Sequence, residues 1–485
     1  MLQWLIRHRW LWIATAVMIS LLVFAACDDD EEEPAGETPA AETPAAETPV
    51  AAAICEGGPG VKALGGGDGL VSSSPDLGEP SAPSLGAQEP LRIGVLVPST
   101  GALSTFGPDY INAANLAAKC LNNFGGVNGA EVQISEADTG TNPEQGVTEA
   151  QRLVDTENVV AILGAASSAV SLAVSESVTT PAGILQVSPA STGAALTVAD
   201  DDDYLFRMPI SDNAQGAVLA QVLQEQGLTN VCDMYVNNAY GQGLAAAYAD
   251  GFEALGGQVS ASIPHDDAEA VSYLGQLEEC VAGDPEALVA ISYPTGQAKI
   301  YLREAIENDI ITDFVFVDGT KEPTIFSELG WENFADMIGT AAGKLTFEAG
   351  EAFDAGYEAE YGQLYQTPFV REAFDGVIAM GLAAARAGTN TDSTAIRDAL
   401  REIGNAPGEQ FADPQEDVEA ALAAAHAGDD IDWVGASGSV EWDENGDVNF
   451  GGIEVWRVDA ATETLVTDRL FAVDLEAGTV EEVEQ

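Results

Sequence analysis

The stretch "VVAILGAASSAVSLAVSESVTTPAGILQVS", residues 159–188, decides the fold. It opens on an apolar run, 159–164, that reads as a buried strand. A helical pattern follows over 171–180, and a second apolar run closes it at 184–188. Strand, helix and strand in such quick succession is the signature of a parallel crossover unit. The turn between them, Gly164, Ala165, Ala166, Ser167 and Ser168, is small, flexible and hydroxylated. A packing turn, a nucleophile and a cradle for a small anion all require such residues, so the rest of the chain must choose among them.

The same alternation runs outward in both directions. Before it come a strand "LRIGVLV", a helix "DYINAANLAAKCLNN", a strand "VQISEAD" and a helix "PEQGVTEAQRLVDT". After it a second series starts near Ile210, with strands "NVCDMYV", "QVSASIP", "ALVAISY" and "DFVFVDG" separated by helical patterns. Two such series predict an α/β chain of two doubly wound parallel-sheet lobes, each covered by helices on both faces. In sheets of this kind ligands bind beyond the carboxyl ends of the strands. That rule selects the turns "VPSTGALSTFG", "GAASSA", "SPASTG", "NNAYGQG", "SYPTGQ" and "VDGTKEP", all rich in small, hydroxylated or aromatic residues.

Residues 1–26 carry Arg7 and Arg9, then an apolar stretch, then small residues ahead of Cys27, which reads as a secretory signal. The Ala25-Ala26-Cys27 ending resembles the lipobox of bacterial lipoproteins, with Cys27 as the lipidated residue; an uncleaved anchor helix or an ordinary signal are the alternatives. Residues 27–90 begin with an acidic block and an ETPAA repeat that offers no apolar face, a disordered tether and N-terminal extension. Either reading places a folded body outside the cytoplasm at a membrane surface.

The chain holds 79 acidic and 17 basic residues. Loss of residues 1–26 removes two arginines and no acid, which takes the net charge from −62 to −64. Phosphate contacts need a basic footprint, so nucleic acid is excluded as a partner. Beyond Cys27 four cysteines remain, an even number that suggests bridges in an exported chain, with three possible connectivities. Cys232 opens a predicted strand and Cys280 closes a helix, so the two can meet at one end of a sheet, which leaves Cys55 with Cys120.

The segments "IGVLVPSTGALSTFG", "GGVNGAEVQISEADTGTNPEQGVTEAQRLV", "ILQVSPAST", "YLFRMPISDNAQG", "VNNAYGQG" and "GSVEWDENGDV" occur in this order between about Leu91 and Val458. Together they resemble the type I periplasmic binding proteins of ABC importers, in the leucine/isoleucine/valine-binding branch. The resemblance implies two lobes joined by a three-crossover hinge: 91–209 with about 345–440, and 210–344 with about 441–485. It implies capture of a small amino acid, the branched-chain type favoured, with an ABC permease and ATPase as partners, no cofactor and no catalysis. A ligand-sensing module for an amide, urea or another small polar solute is the alternative function.

The resemblance also implies a binding site. Ser168, with Ser191 and Thr192 of "SPAST", corresponds to the carboxylate cradle; Asp318 corresponds to the acid that receives the ammonium, one carbon shorter than the family's glutamate. Tyr240, Tyr293 and Phe106 match aromatic walls. Each has a plainer reading: a helix cap for Ser168, a turn acid before Gly319 for Asp318, loop-edge packing for the aromatics.

Enzymatic readings find little to draw on. Beyond residue 27 only His265 and His426 are present, the turn at Ser168 lacks the G-x-S-x-G form, and no phosphate loop occurs. "PHDDAE" reads as a solvated acidic loop rather than a metal site, and "DENGD" as a hairpin turn. The insertion at 404–433 offers no functional motif.

Overall fold

The computed structural model describes residues 55, 88–343, 345, 347–414 and 417–483. The signal, Cys27 and nearly all of the expected tether lie outside the described residues. The first sheet holds five parallel strands, β1 (Leu91–Val97), β2 (Val132–Asp138), β3 (Ala161–Gly164), β4 (Leu185–Ser188) and β5 (Leu205–Arg207), in the order β2-β1-β3-β4-β5. The second holds β6 (Asn230–Val236), β7 (Gln258–His265), β8 (Ala287–Ile291), β9 (Phe314–Phe316) and β10 (Ile338–Gly343). Its strands β8 and β9 are apolar throughout because helices cover both faces, and every residue of both is buried.

The chain then leaves the second sheet. The helix Phe347–Tyr361 lies on the helix Gly107–Asn123 of the first lobe, where the Tyr357 hydroxyl donates to Asp109 Oδ1 at 2.8 Å and the Tyr361 hydroxyl to the Asn112 carbonyl at 2.7 Å. The helix Val370–Ala387, buried from Val370 to Ala385, packs against that same helix. The insertion forms a small parallel pair, β11 (Glu409–Phe411) and β12 (Ile431–Trp433), with the helix Val418–Ala427 between them. Asp375 fixes its far end by accepting from the backbone of Ala436 and Ser437 and from the Ser437 hydroxyl.

The second sheet departs from a purely parallel one. β13 (Phe450–Asp459), β14 (Thr464–Asp474) and β15 (Thr479–Val483) extend it as an antiparallel meander joined to β10, giving the order β15-β14-β13-β10-β9-β8-β6-β7. Short hairpin connections allow this pairing where a parallel strand would need a crossover. Before β13 the chain stays with the first lobe: Trp442 meets Phe206 edge to face at 5.8 Å, and its indole N–H donates to the Arg207 carbonyl. Asp447 pairs with the wholly buried Arg207 guanidinium at 2.6 Å.

Cys232 is disulfide-bonded to Cys280 with a Cα separation of 5.5 Å, and Cys55 to Cys120. No helix of the described residues is long and apolar enough to cross a membrane.

A buried acid in β6 gives the fold a pH dependence. Burial pushes the Asp233 carboxyl up to about 7, while hydroxyl donors Tyr248 and Ser262 pull the other way. The folded protein therefore holds a proton there that the unfolded chain gives up near pH 4, so this group's contribution to stability falls as pH rises from about 4 to about 7. In urea titrations, Asp233→Asn is expected to remove that slope, about 1.4 kcal/mol per pH unit at its steepest. Parallel pH profiles for the two proteins would refute it.

Candidate ligand-binding site

The carboxyl ends of both sheets face a common, small cavity of about 20 Å³. The first lobe supplies Leu103, Phe106, Tyr110, Ala166, Ser167, Ser168, Ala190 and Phe369, and the second supplies Tyr240, Tyr293, Asp318 and Gly319. Each polar wall follows a strand end: Ser167 and Ser168 after β3, Tyr240 after β6, Tyr293 after β8, Asp318 after β9. This is where the open-sheet rule locates a ligand. A wider groove at the crossovers, lined by Met208, Glu441 and Trp442, lies away from these strand ends, whereas a second one adjoins the cavity at Tyr293 and runs between the turns at Thr100, Thr141 and Asp267.

Gly164 makes the sharp exit from β3. Its φ is +146°, and an added Cβ would stand 2.3 Å from the Leu96 carbonyl, so only glycine is accommodated. The helix that follows begins at Ser168, with Ser167 in the capping position, and no side chain caps it. The Ser168 hydroxyl instead accepts from the Gly193 N–H at 3.0 Å, tying the two hydroxylated turns together. Ser191 lies behind the cavity wall, its hydroxyl 2.8 Å from that of Ser171 and donating to the carbonyls of Ala165 and Ala166. Thr192 is also behind the wall, with a buried hydroxyl that makes no well-formed hydrogen bond.

On the facing side Asp318 is buried. Its Oδ1 accepts from Gln215 Nε2 at 2.9 Å and from the Tyr240 hydroxyl at 2.8 Å. Burial raises its carboxyl above the usual range, partly offset by these donors and by backbone N–H groups. Burial and the neighbouring charge of Asp318 also raise the Tyr240 phenol, which stays a neutral donor. Tyr240 and Tyr293 stack with ring centroids 5.7 Å apart. Tyr293 also joins the lobes: its hydroxyl is 3.1 Å from Ser167 Oγ and accepts from Asn238 Nδ2 at 3.1 Å. Phe106 forms a wall edge-on to Tyr110.

The structure thus brings five of the seven expected residues to one cavity, Phe106, Ser168, Tyr240, Tyr293 and Asp318, and leaves Ser191 and Thr192 one layer back. Sequence reading missed Ser167, Gln215, Asn238 and Tyr110. Asn238 sat in the quoted "NNAYGQG" and Gln215 in "SDNAQG". Tyr110 lay inside an ordinary helical pattern, yet its hydroxyl is buried at the cavity without a hydrogen-bond partner. His265 is buried, with Nε2 2.9 Å from Ser292 Oγ, and burial lowers its proton affinity. Among the described residues no group of three or more His, Cys, Asp or Glu side chains is placed to hold a metal.

A profile of the family described as "Periplasmic binding protein" matches residues 90–427. The chain belongs to that family. Among similar curated proteins, a chemotactic signal transduction system substrate-binding protein, BasB, of Halobacterium salinarum is 25% identical over 73% of this chain and 84% of its own. The Leu/Ile/Val-binding protein homolog 3 of Brucella melitensis is 27% identical over 64% of this chain and 83% of its own. Among solved structures, a leucine binding protein, LivK, from Thermotoga maritima superposes with a TM-score of 0.66 at 23% identity, over 80% of this chain and 99% of its own. The fold is that of a type I periplasmic binding protein, and the family works outside the cytoplasm. This member is a substrate-binding protein and not an enzyme.

The tightness of the cavity floor is open to test at Gly319. An added Cβ would stand 2.6 Å from the Ser292 carbonyl and 2.9 Å from the Tyr240 hydroxyl. Gly319→Ala is expected to lower unfolding free energy by about 1–3 kcal/mol through overpacking. An unchanged melting temperature would show that the floor yields.

Proposed function

We propose that this periplasmic binding protein is the lipid-anchored solute receptor of an ABC importer, closing two lobes around a small amino acid, the branched-chain type favoured. The lobes of this reading are 91–209 with about 345–440, and 210–344 with about 441–485; the contacts of Trp442 and Asp447 with Arg207 favour moving the last crossing to just before Phe450, where β13 begins. Cys27 is the lipidated residue, and a permease and ATPase receive the ligand.

One observation carries the ligand class. Asp318, a buried acid, shares a small cavity with the start of the helix at Ser168. A zwitterion has an ammonium for the first and a carboxylate for the second, where N–H groups at a turn feeding a helix receive an anion. Between these ends Leu103, Phe106, Tyr110, Tyr240, Tyr293 and Phe369 supply apolar walls, which suits an aliphatic side chain. A simple monocarboxylate or a neutral amide would leave the charge of Asp318 without a cation. Ser191 and Thr192 act from behind, by holding the cradle's turn.

A second reading, delivery of the bound ligand to a membrane sensor, is supported by the Halobacterium relative, a substrate-binding protein of a chemotactic signal transduction system. It uses the same site and the same ligand class and differs only in the partner.

A thermal-shift screen of the mature chain against amino acids, amides and urea tests the ligand class. Leucine, isoleucine or valine is expected to raise the melting temperature. A rise with an uncharged amide and none with these three would overturn the reading. Asp318→Ala is expected to weaken amino-acid binding by about 1–3 kcal/mol or more, as a buried charge partner is lost. Unchanged affinity would remove Asp318 from the site.

A further inference from the structure

Behind Asp318 stands a second buried acid that motif reading did not select. Asp212 opens the helix Asp212–Glu225, is fully buried, and makes no well-formed hydrogen bond through either carboxylate oxygen, the Thr192 hydroxyl being a donor near enough to act on it. Its backbone N–H donates to the Thr192 carbonyl at 2.8 Å, which seats it against the "SPAST" turn. Three residues on, Gln215 lies on the same helical face and donates to Asp318. Asp212 therefore ties the first-lobe turn to the helix whose Gln215 reaches Asp318, without lining the cavity itself.

The surrounding charges do not balance. Arg207 is the cation whose field reaches Asp212, but its guanidinium is already paired with Asp447 and donates to the Thr192 and Gly193 carbonyls. Lys321, from the segment after Asp318, pairs with Glu454. The remaining neighbours are neutral or acidic: Tyr240 from the second lobe, and Tyr110 with Glu372 from the first. Burial, then the charge of Asp318, push the Asp212 carboxyl well up, while the Thr192 hydroxyl and Arg207 oppose. The helix N-terminus favours ionisation only weakly. Burying a second, uncompensated carboxylate beside the first costs far more than the dipole returns, so the dipole does not decide.

Resting on the amino-acid reading, we propose that Asp212 is the second acid of the ligand's cation site: in the empty protein Asp212 and Asp318 hold one proton between them, and a ligand ammonium replaces it. The proton passes to solvent as the ammonium enters, so the negative charge it balanced is balanced by the ligand. A site built this way discriminates against solutes without a cation, because only a cation can displace the proton. The pair titrates as a unit, so its protonation belongs to neither acid alone.

Infrared difference spectroscopy and calorimetry test this in the mature protein with L-leucine as probe. At pH 6.5 the ligand-free protein is expected to show a buried carboxylic-acid carbonyl band that disappears when leucine binds, with other buried acids cancelling in the difference. Titrations in phosphate and imidazole buffers are expected to show release of up to about one proton per leucine, and affinity rising up to about tenfold per pH unit while the pair stays protonated. Asp212→Asn is expected to lose the band and the buffer dependence and to give a flat affinity profile. Leucine binding with no band change and buffer-independent heat in the unaltered protein would overturn the proposal, and that arm needs no variant to fold. If no amino acid binds but the band is present in the ligand-free protein and absent from Asp212→Asn, the shared proton stands and the amino-acid reading falls.

Discussion

The buried ion pair between Arg207 and Asp447 is the interaction on which the arrangement of the site depends. Arg207 ends β5, the last strand before the chain first crosses to the second lobe, and Asp447 precedes the last entry into the second sheet. The same guanidinium donates to the carbonyls of Thr192 and Gly193, and the N–H of Gly193 in turn reaches Ser168. One side chain thus links two chain crossings to the two turns of the cradle. Such a pair adds little net stability against an apolar replacement, but loss of one partner strands a buried charge at a cost of about 3–5 kcal/mol. Its value lies in fixing geometry: the cradle cannot shift without disturbing the crossings.

The acidity of the chain and the acidity of the site are separate matters. The surface excess of carboxylates governs solubility and surroundings. Asp212 and Asp318 are buried, so their mutual repulsion is not screened by water and their charge state is set locally. That is why two acids can confer selectivity for a cation while dozens on the surface confer none.

Much of the fold was legible because parallel strands covered on both faces must be apolar along their whole length, and runs such as "VVAILG" and "ALVAI" have no other economical reading. The turns at their carboxyl ends followed from topology, and with them Ser168, Tyr240, Tyr293 and Asp318. The antiparallel meander β13–β15 was not legible as an extension of the second sheet, since pairing between β10 and β13 joins residues more than a hundred positions apart. The insertion showed no motif because its role is packing: Phe411, Leu422 and Trp433 enter the main core. Asp212 escaped notice because an acid in the first turn of a helix is the ordinary composition of such turns. Only burial without a well-formed hydrogen bond sets it apart.

Around the cavity the lobes meet through single hydrogen bonds, Ser167 with Tyr293, the Thr295 N–H to the Ala102 carbonyl at 3.2 Å and the Asp212 N–H to the Thr192 carbonyl at 2.8 Å, each about 0.5–1.5 kcal/mol net, and through the packing of the helix Ala239–Ala254 on the segments at Ser168 and Ala194. A ligand touching both lobes adds to these contacts in the closed state alone, and a shift across the whole population requires about 5.5 kcal/mol of differential binding. A zwitterion that answers Asp318 on one wall and the Ser168 turn on the other meets that requirement only when both walls are present. Closure and recognition then become the same event, and a solute that satisfies one wall alone binds without closing the lobes.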